Sequence, residues 1–399
     1  MSMSRTTVNK VTVWGTSFAK TGDEAQLAAV LSVLDHVAPG ADVAVLDRPR
    51  EQTDRFYPAV RTIRLADLWR SLSRVASSDL FVVVGAPFFE TRKQVSACLA
   101  LFVLCHVCRV PMVAYSITAF DLKTWWGRLL LRPLLRSMRG IGVREPIGVE
   151  VLHRLGVKAN VRLVEDSRAV VDPSPAERVA ALLRTAGIED NEPVIGVTTR
   201  YMHDRVPEWV LRDHGVSADQ IAGANDAVGR IIGELSGLAR VLVIPMNPRL
   251  AEDEAMVEIM RRHAKDGERI ALLQPPFSAA DCIGLLGRCR LVVSARLAST
   301  LFALNAGTPT VAIAYDGRVE DMMKDVAEPH AMFAYRDLDA DAVIAHCRRV
   351  FAEHEATSAE RGREAAERKE RAMREAALLL GSHPPPGISA NTATVPGRG

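Results

Sequence analysis

The chain has 399 residues, beyond the roughly 250–300 at which a single hydrophobic core stops growing, so two domains are expected. Apolar residues make up 48% and charged residues 25%, an ordinary globular composition that confines disorder to the ends. A net charge of +2, with arginines interleaved among carboxylates, gives no footprint for nucleic acid, and the apolar runs fall short of the roughly 20 residues of a membrane span.

Met1 to Lys10 leads into no apolar signal region, so a cytoplasmic protein is expected. Val11 to Val13 is a short apolar strand running to Gly15. Thr21-Gly22-Asp23-Glu24 has the S/T-x-x-E form of a helix capping box. Leu27, Val30, Leu31, Leu34 and Val37 then recur at three- and four-residue steps until Pro39-Gly40 stops the pattern. A strand from Val43 to Leu46, a helix around Ala66 to Ala76, a strand from Leu80 to Val84, a helix from Gln94 to Cys108 and a strand from Met112 to Ser116 follow. A basic helix, Thr124 to Arg139, leads to the strand Gly140 to Val143, and a further helix and strand reach Asp166. Strands that are apolar throughout and alternate with helices predict a parallel sheet covered on both faces.

Asp172-Pro173-Ser174-Pro175 interrupts this order, and after a helix from Ala176 to Thr185 the polar stretch Gly187 to Pro193 marks a domain junction. A second βα series carries strands at Val194–Thr198, Val241–Ile244, Ile270–Leu273, Leu291–Ser294 and Thr310–Ala314. A helix from Leu338 to Glu353 precedes the Ala-, Glu- and Arg-rich stretch Ser358–Leu380, the composition of a solvated helix that packs only in part. From Gly381 onward the apolar content is too low to fold. The fold expected is therefore α/β, with two Rossmann-like parallel-sheet domains in a GT-B-like arrangement around an interdomain cleft. The boundaries are 8–172 and 190–355, then a charged helix 356–380 and a disordered tail 381–399. Ligands belong at the carboxyl ends of such strands.

The six cysteines lie mostly in apolar or helical segments and read as free thiols. Cys105-His106-Val107-Cys108 lacks a second ligand pair and reads as buried helix, not as a metal site. The loop Gly15–Glu24 is not a Walker A sequence, because Lys20-Thr21 comes one position early. It could still offer helix amides to an anion or to sugar hydroxyls. Glu24 reads as a cap, while Asp23 is open between serving the helix dipole and acting as a base toward a sugar hydroxyl. Gly85 marks either a close approach by a ligand or a tight turn. Arg144 either faces the cleft or pairs with Glu145.

In the second half, Thr198-Thr199-Arg200 ends a strand with groups suited to a phosphate or carboxylate. His203, followed by Asp204, is an acid/base candidate. Arg296 stands at the carboxyl end of the strand Leu291–Ser294, beside the start of a small-residue helix near Ala298. That is a site for a dianionic donor, the opposite reading being a structural arginine paired with carboxylates.

Gly22-Asp23-Glu24-Ala25, then Val143-Arg144-Glu145-Pro146 with Leu155-Gly156-Val157, then Asp166, and finally the stretch from Arg296-Leu297 through Phe302-Ala303-Leu304 and Gly307-Thr308-Pro309 to Tyr315-Asp316 arrive in order. In that order they resemble the polysaccharide pyruvyl transferase family. The resemblance implies transfer of the enolpyruvyl unit of phosphoenolpyruvate onto two hydroxyls of a sugar or lipid-linked sugar of a cell-surface glycan or glycolipid precursor, with no metal or organic cofactor. It offers Asp23 as the residue that orients or deprotonates the acceptor, and His203, read from its own loop, is the second catalytic candidate. Arg200, Arg296, Ser299 and Arg318 would bind the donor in the second domain, and Gly22, Gly85 and Arg144 the acceptor in the first. A homo-oligomer is compatible with it. The sequence departs from the family at Ala298, where Arg-Leu-His is usual, and at Met246, where histidine often follows proline. Either another acid, such as His203 or a carboxylate, substitutes, or the reaction has changed or been lost. A GT-B glycosyltransferase using a nucleotide sugar and a non-catalytic family member are the alternatives.

Overall fold

The computed structural model describes residues 8–15, 17–47, 50–85, 92–119, 121–122, 124–200, 218–247, 250–314, 323, 331–335 and 338–381. The first domain runs β1 (Lys10–Trp14), α1 (Thr21–Val37), β2 (Asp42–Asp47), α2 (Arg50–Phe56), β3 (Arg61–Arg64), α3 (Leu68–Ala76), β4 (Leu80–Val84), α4 (Arg92–Val107), β5 (Met112–Ile117), α5 (Trp125–Arg136), β6 (Gly140–Val143), α6 (Pro146–Arg154) and β7 (Val161–Leu163). Its parallel sheet has the order β3-β2-β1-β4-β5-β6-β7, with Val13 between Val45 and Val82. Every residue of β4, β5 and β6 is buried, as strands covered on both faces must be.

The second domain runs α7 (Ala176–Thr185), β8 (Val194–Thr198), α8 (Ala218–Leu235), β9 (Arg240–Val243), α9 (Ala251–His263), β10 (Ile270–Leu272), α10 (Ala279–Gly287), β11 (Leu291–Ser294), α11 (Leu297–Asn305), β12 (Thr310–Ala314), β13 (Met332–Ala334), α12 (Ala340–Ala352) and α13 (His354–Leu380). Its sheet order is β10-β9-β8-β11-β12-β13, again parallel, with Ile195 between Val241 and Leu291. Each sheet reverses its winding once, between β1 and β4 and between β8 and β11. Doubly wound sheets bind ligands outside the carboxyl ends of strands at such points.

The two domains share a core. Val11, Val13, Leu27 and Val30 of the first belong to the same apolar cluster as Leu183, Cys282, Leu285 and Phe302 of the second. Helix α13 returns from the second domain to the first and adds Ala372, Ala376, Leu379 and Leu380 to that cluster. Its small residues at four-residue spacing form a seam narrow enough to lie on the sheet, while the rest of the helix stays exposed or half-buried. Leu379 occupies the space above Gly140 and Gly142, where added Cβ atoms would lie 2.8 and 2.6 Å from its methyls. Arg139 Nη2 donates to the carbonyls of Leu379, Leu380 and Gly381, the unsatisfied acceptors at the end of α13.

The opposite face of the first sheet is covered by α3, α4, α5 and α6, whose apolar cluster contains first-domain residues alone. Strand β3 carries one large apolar residue in Arg-Thr-Ile-Arg and sits at a sheet edge, which is why periodicity missed it.

Candidate active site between the domains

The site is built from two turns that meet across the seam. Helix α1 starts at Thr21 with Lys20 as an extended N-cap, and no side chain caps it. The capping box expected at Thr21–Glu24 does not form, because the Glu24 carboxylate points away from its own helix. It accepts from the Tyr57 hydroxyl and, at 2.5 Å, from the backbone amide of Ala279, the first residue of α10 in the other domain. The unsatisfied amides at a helix start favour an anion there. Burial, working against the Tyr57 and Ala279 hydrogen bonds, pushes the Glu24 carboxyl up to about 7. Asp23, beside it, is half-buried. Burial raises its pKa, and the charges of Lys20, Arg168 and Arg144 oppose the rise.

A ring of charge follows strands β5, β6 and β7. Arg144 Nε donates to Glu145 Oε1 at 2.9 Å, its Nη2 donates to the Thr118 hydroxyl at 2.5 Å, and its Nε lies 3.7 Å from Asp166 Oδ2. Thr118 in turn donates to Glu145 Oε1 at 2.9 Å. Arg168 grips Asp166 through Nε, at 2.8 Å from Oδ1, and through Nη2 on Oδ2. Burial alone would raise the pKa of Asp166, but the charge and hydrogen bonds of Arg168 and the charge of Arg144 outweigh it and hold it at about 2. Two polar atoms of this ring, Arg144 Nη1 and Glu145 Oε2, are buried without a hydrogen-bond partner among the described residues. Buried groups of this kind are uncommon and costly unless a ligand or water takes them.

The facing wall comes from β8, β11 and α11. The hydroxyls of Thr198, Ser294, Ser299 and Thr300 form one buried network, with Thr198–Ser299 at 2.6 Å and Ser294–Ser299 at 2.9 Å. Ser299 and Thr300 also donate to the Arg296 carbonyl, which fixes the N-terminus of α11. The Arg296 guanidinium donates through Nε to the Thr199 carbonyl at 2.5 Å and places Nη2 3.7 Å from Glu252 Oε2. Asp253, next to Glu252 in the first turn of α9, is buried and has no hydrogen-bond partner for Oδ2 among the described residues. Burial pushes its carboxyl up to about 6, with Arg296 pulling down, Glu252 pushing up and the Thr199 hydroxyl pulling down.

The walls touch at Gly22 and Ala298, where a Cβ added to Gly22 would lie 2.8 Å from the Ala298 methyl. A cavity of ≈ 40 Å³ at the start of α1 is lined by residues of both domains, among them Lys20, Glu24, Arg55, Asn247 and Phe277. Lys20 and Arg55 give it a cationic side and Glu24 an ionisable floor.

A model of the polysaccharide pyruvyl transferase family matches residues 21–317, most of the chain and both walls of this site. The chain belongs to that family. Among solved structures it is similar to the UDP-GlcNAc 2-epimerase of Neisseria meningitidis bound to UDP-GlcNAc, with a TM-score of 0.56, 12% identity and coverage of 93% of this chain and 98% of that one. A putative UDP-N-acetylglucosamine 2-epimerase from Listeria monocytogenes gives a TM-score of 0.60 at 12% identity, covering 93% and 96%. The ADP-heptose LPS heptosyltransferase II of E. coli gives 0.50 at 11%, covering 87% and 99%. At these identities the likeness is one of fold, and it is the GT-B arrangement of two parallel-sheet domains.

Within this pyruvyl transferase family member, Asp23 and Arg144 lie within charge reach of each other on the first wall, and Arg296 caps α11, whose Ala298 meets Gly22, while its guanidinium turns to Thr199 and Glu252. Arg200 follows Thr199, half-buried and engaged. His203, Asp204 and Arg318 lie outside the described residues. Ser299 is buried, and its hydroxyl lies in the network that orients α11. Gly85 has φ +83°, and Gln26 Oε1 would be 2.7 Å from a Cβ added there.

Both positions where the family carries histidine are absorbed into the shared core. Met246 is buried with its sulfur 3.7 Å from Cys282 Sγ, and Ala298 packs on Gly22. Sequence reasoning missed Asp253, Arg168 and Arg55. Asp253 carried a signal, three consecutive acids, Glu252-Asp253-Glu254, opening a helix after a strand, but that pattern is what any helix dipole favours.

Proposed function

We propose that this protein transfers the pyruvyl unit of phosphoenolpyruvate to two hydroxyls of one sugar in a cell-surface glycan or glycolipid precursor, giving a cyclic ketal. The observation that carries this reading is the buried guanidinium of Arg144, one nitrogen of which has no hydrogen-bond partner among the described residues, with Arg296 on the other domain. Two arginines held by protein groups on opposite domains suit a donor with a carboxylate at one end and a phosphate at the other. The donor's methylene carbon takes a proton, a sugar hydroxyl adds to the neighbouring carbon, the phosphate leaves and the second hydroxyl closes the ring. Of the two hydroxyl protons released, one balances the proton placed on carbon and the other leaves with phosphate. Asp23, its pKa raised by burial, is the base toward the acceptor. Asp253, with its ionisation near 6 and Arg296 beside it, takes the place of the missing imidazole as the acid.

A second reading has its own observation. Loss of both family imidazoles to apolar packing suits a member that binds the anion without turning it over. Calorimetric binding of phosphoenolpyruvate, run beside a phosphate-release assay over a panel of sugar diols, separates the two. Binding with release supports transfer, binding without release supports the second reading, and no binding refutes both. A nucleoside diphosphate that raises the melting temperature where phosphoenolpyruvate does not would instead favour nucleotide-sugar transfer.

A further inference from the structure

The layer α3–α4–α5–α6 turns an unusual surface outward. Between Glu90 and Glu145 the sequence has nine lysines and arginines and one acid, Asp121, although the whole chain is only at +2. Helix α5 concentrates this asymmetry: Trp-Trp-Gly-Arg-Leu-Leu-Leu-Arg-Pro-Leu-Leu-Arg contains no carboxylate. Its inner side, Leu131, Leu134 and Leu135, is buried. Its outer side carries two neighbouring stripes at four-residue spacing. One is Trp125, Leu129 and Pro133, and the other is Arg128, Arg132 and Arg136, all exposed. Trp125 is 76% and Leu129 65% exposed, and both line an open groove of ≈ 650 Å³ between α5 and α6 together with Arg128, Arg132 and Arg154. On α3, in the same layer, Trp69 is 84% exposed.

Trp125, Leu129 and Leu130 are neighbours on one helix face, and a contiguous exposed apolar patch rimmed by polar groups marks an interaction surface. The arginines are set in place: Arg128 Nε donates to the Leu122 carbonyl at 2.7 Å and Arg136 Nε to the Gly156 carbonyl at 2.8 Å. Among the described residues, Arg154 alone of these groups has a carboxylate partner, Asp121 at 3.3 Å. We infer that the outer face of α5, with the α5–α6 groove, docks on an anionic lipid bilayer, Trp125 and Leu129 entering the headgroup region while Arg128, Arg132 and Arg136 bind lipid phosphates. Charge complementarity selects this occupant. A second copy of the chain, meeting the same face about a two-fold axis, would set the arginine stripe against either itself or the apolar stripe, with no anion for it in either case. A bilayer supplies both an apolar phase for Trp125 and a dense field of phosphates, the pairing that interfacial helices use. No helix among the described residues is long and apolar enough to cross a membrane, so the contact is peripheral. Helix α5 also begins at the carboxyl end of β5, the edge of the sheet that carries Thr118 and Arg144, so a lipid-borne acceptor would reach the seam from the docked face.

The test is flotation of the full chain with vesicles of phosphatidylcholine alone and of phosphatidylcholine with a third phosphatidylglycerol. Partition onto the anionic vesicles should exceed that onto the neutral ones by about tenfold or more at low salt and fall steeply as salt rises. Arg128→Gln/Arg132→Gln/Arg136→Gln should lose about tenfold or more of that binding, and Trp125→Ala should weaken it while the melting temperature of each variant stays that of the wild type. Because several tryptophans report together, the blue shift of emission on adding anionic vesicles should shrink in Trp125→Phe. Equal binding to both vesicle types, no binding, undiminished binding by the arginine variant, or a concentration-dependent dimer that buries Trp125 would each overturn the proposal. Flotation reads partition and not turnover, so this inference stands or falls apart from the reaction.

Discussion

Glu24 of the first domain holds the first amide of α10 in the second, Ala279, at 2.5 Å. Its other oxygen takes the Tyr57 hydroxyl, so one buried carboxyl ties α1, the segment after α2 and α10 together. Burial raises its ionisation to about 7, so the folded protein binds a proton that the unfolded chain, at its ordinary value, releases near 4.5. Between those two values the native state holds more protons than the unfolded state, and the stability from this group falls as pH rises, by up to about 1.4 kcal/mol per unit.

Glu24→Gln should remove this slope at little cost, since an amide can still accept from Ala279 and donate to Tyr57. Glu24→Ala leaves the buried Ala279 amide without its partner and should cost about 1–3 kcal/mol. Chemical denaturation of the three proteins at pH 5, 6 and 7 checks both statements. A wild type whose stability rises across that range, with Glu24→Gln parallel to it, would refute the assignment.

Arg144 contacts Glu145, Thr118 and Asp166, and its buried Nη1 has no hydrogen-bond partner among the described residues. Lysine retains the charge but cannot span Thr118, Glu145 and a substrate anion at once. Arg144→Lys is therefore expected to leave the melting temperature within a few degrees while weakening phosphoenolpyruvate by about tenfold or more. Titration calorimetry decides it. An unchanged affinity would make Arg144 a structural member of the ring alone.

The alternation of apolar strands and helices made both domains and their cleft legible, because covered parallel strands must be apolar throughout. The seam was less legible. Glu24 has the sequence signature of a cap for its own helix, and only the docking of α10 shows that it caps another. Ser299 and Gly85 had suitable residue types at suitable ends of strands, but Thr198 and Gln26, distant in sequence, occupy the groups they offer. Asp253 was hidden for the opposite reason: its pattern is commonplace, and its meaning comes from Arg296 packing against it.

Asp253 should reveal itself in the pH profile. A carboxyl that ionises near 6 and acts as the proton donor loses its proton above that value, so kcat should fall as pH rises from about 6. Asp253→Asn should lower kcat by about 10²–10⁴-fold and flatten that limb, while Asp253→Glu retains a displaced limb. If Asp253 instead only holds Arg296 in place, Asp253→Asn raises KM for phosphoenolpyruvate and leaves both kcat and the limb intact, which would remove it from the chemistry.

Gly22 and Ala298 set how closely the two walls approach. A methyl on Gly22 would meet the Ala298 methyl at 2.8 Å, well inside contact distance, and neither is a flexible side chain that can swing away. Gly22 lies in the first turn of α1, where alanine favours the helix by up to about 1 kcal/mol, so Gly22→Ala should not unfold the domain. It should separate the walls by several tenths of an ångström and misplace Arg144 relative to Arg296, a displacement that can cost on the order of tenfold or more in rate. Removing the opposing methyl returns the space, so Gly22→Ala/Ala298→Gly should recover most of the activity lost by Gly22→Ala alone. The coupling between the two sites, read from kcat/KM in a double-mutant cycle, is then opposite in sign to the single Gly22 effect. Additive effects would mean that the two turns do not set the geometry of the cleft.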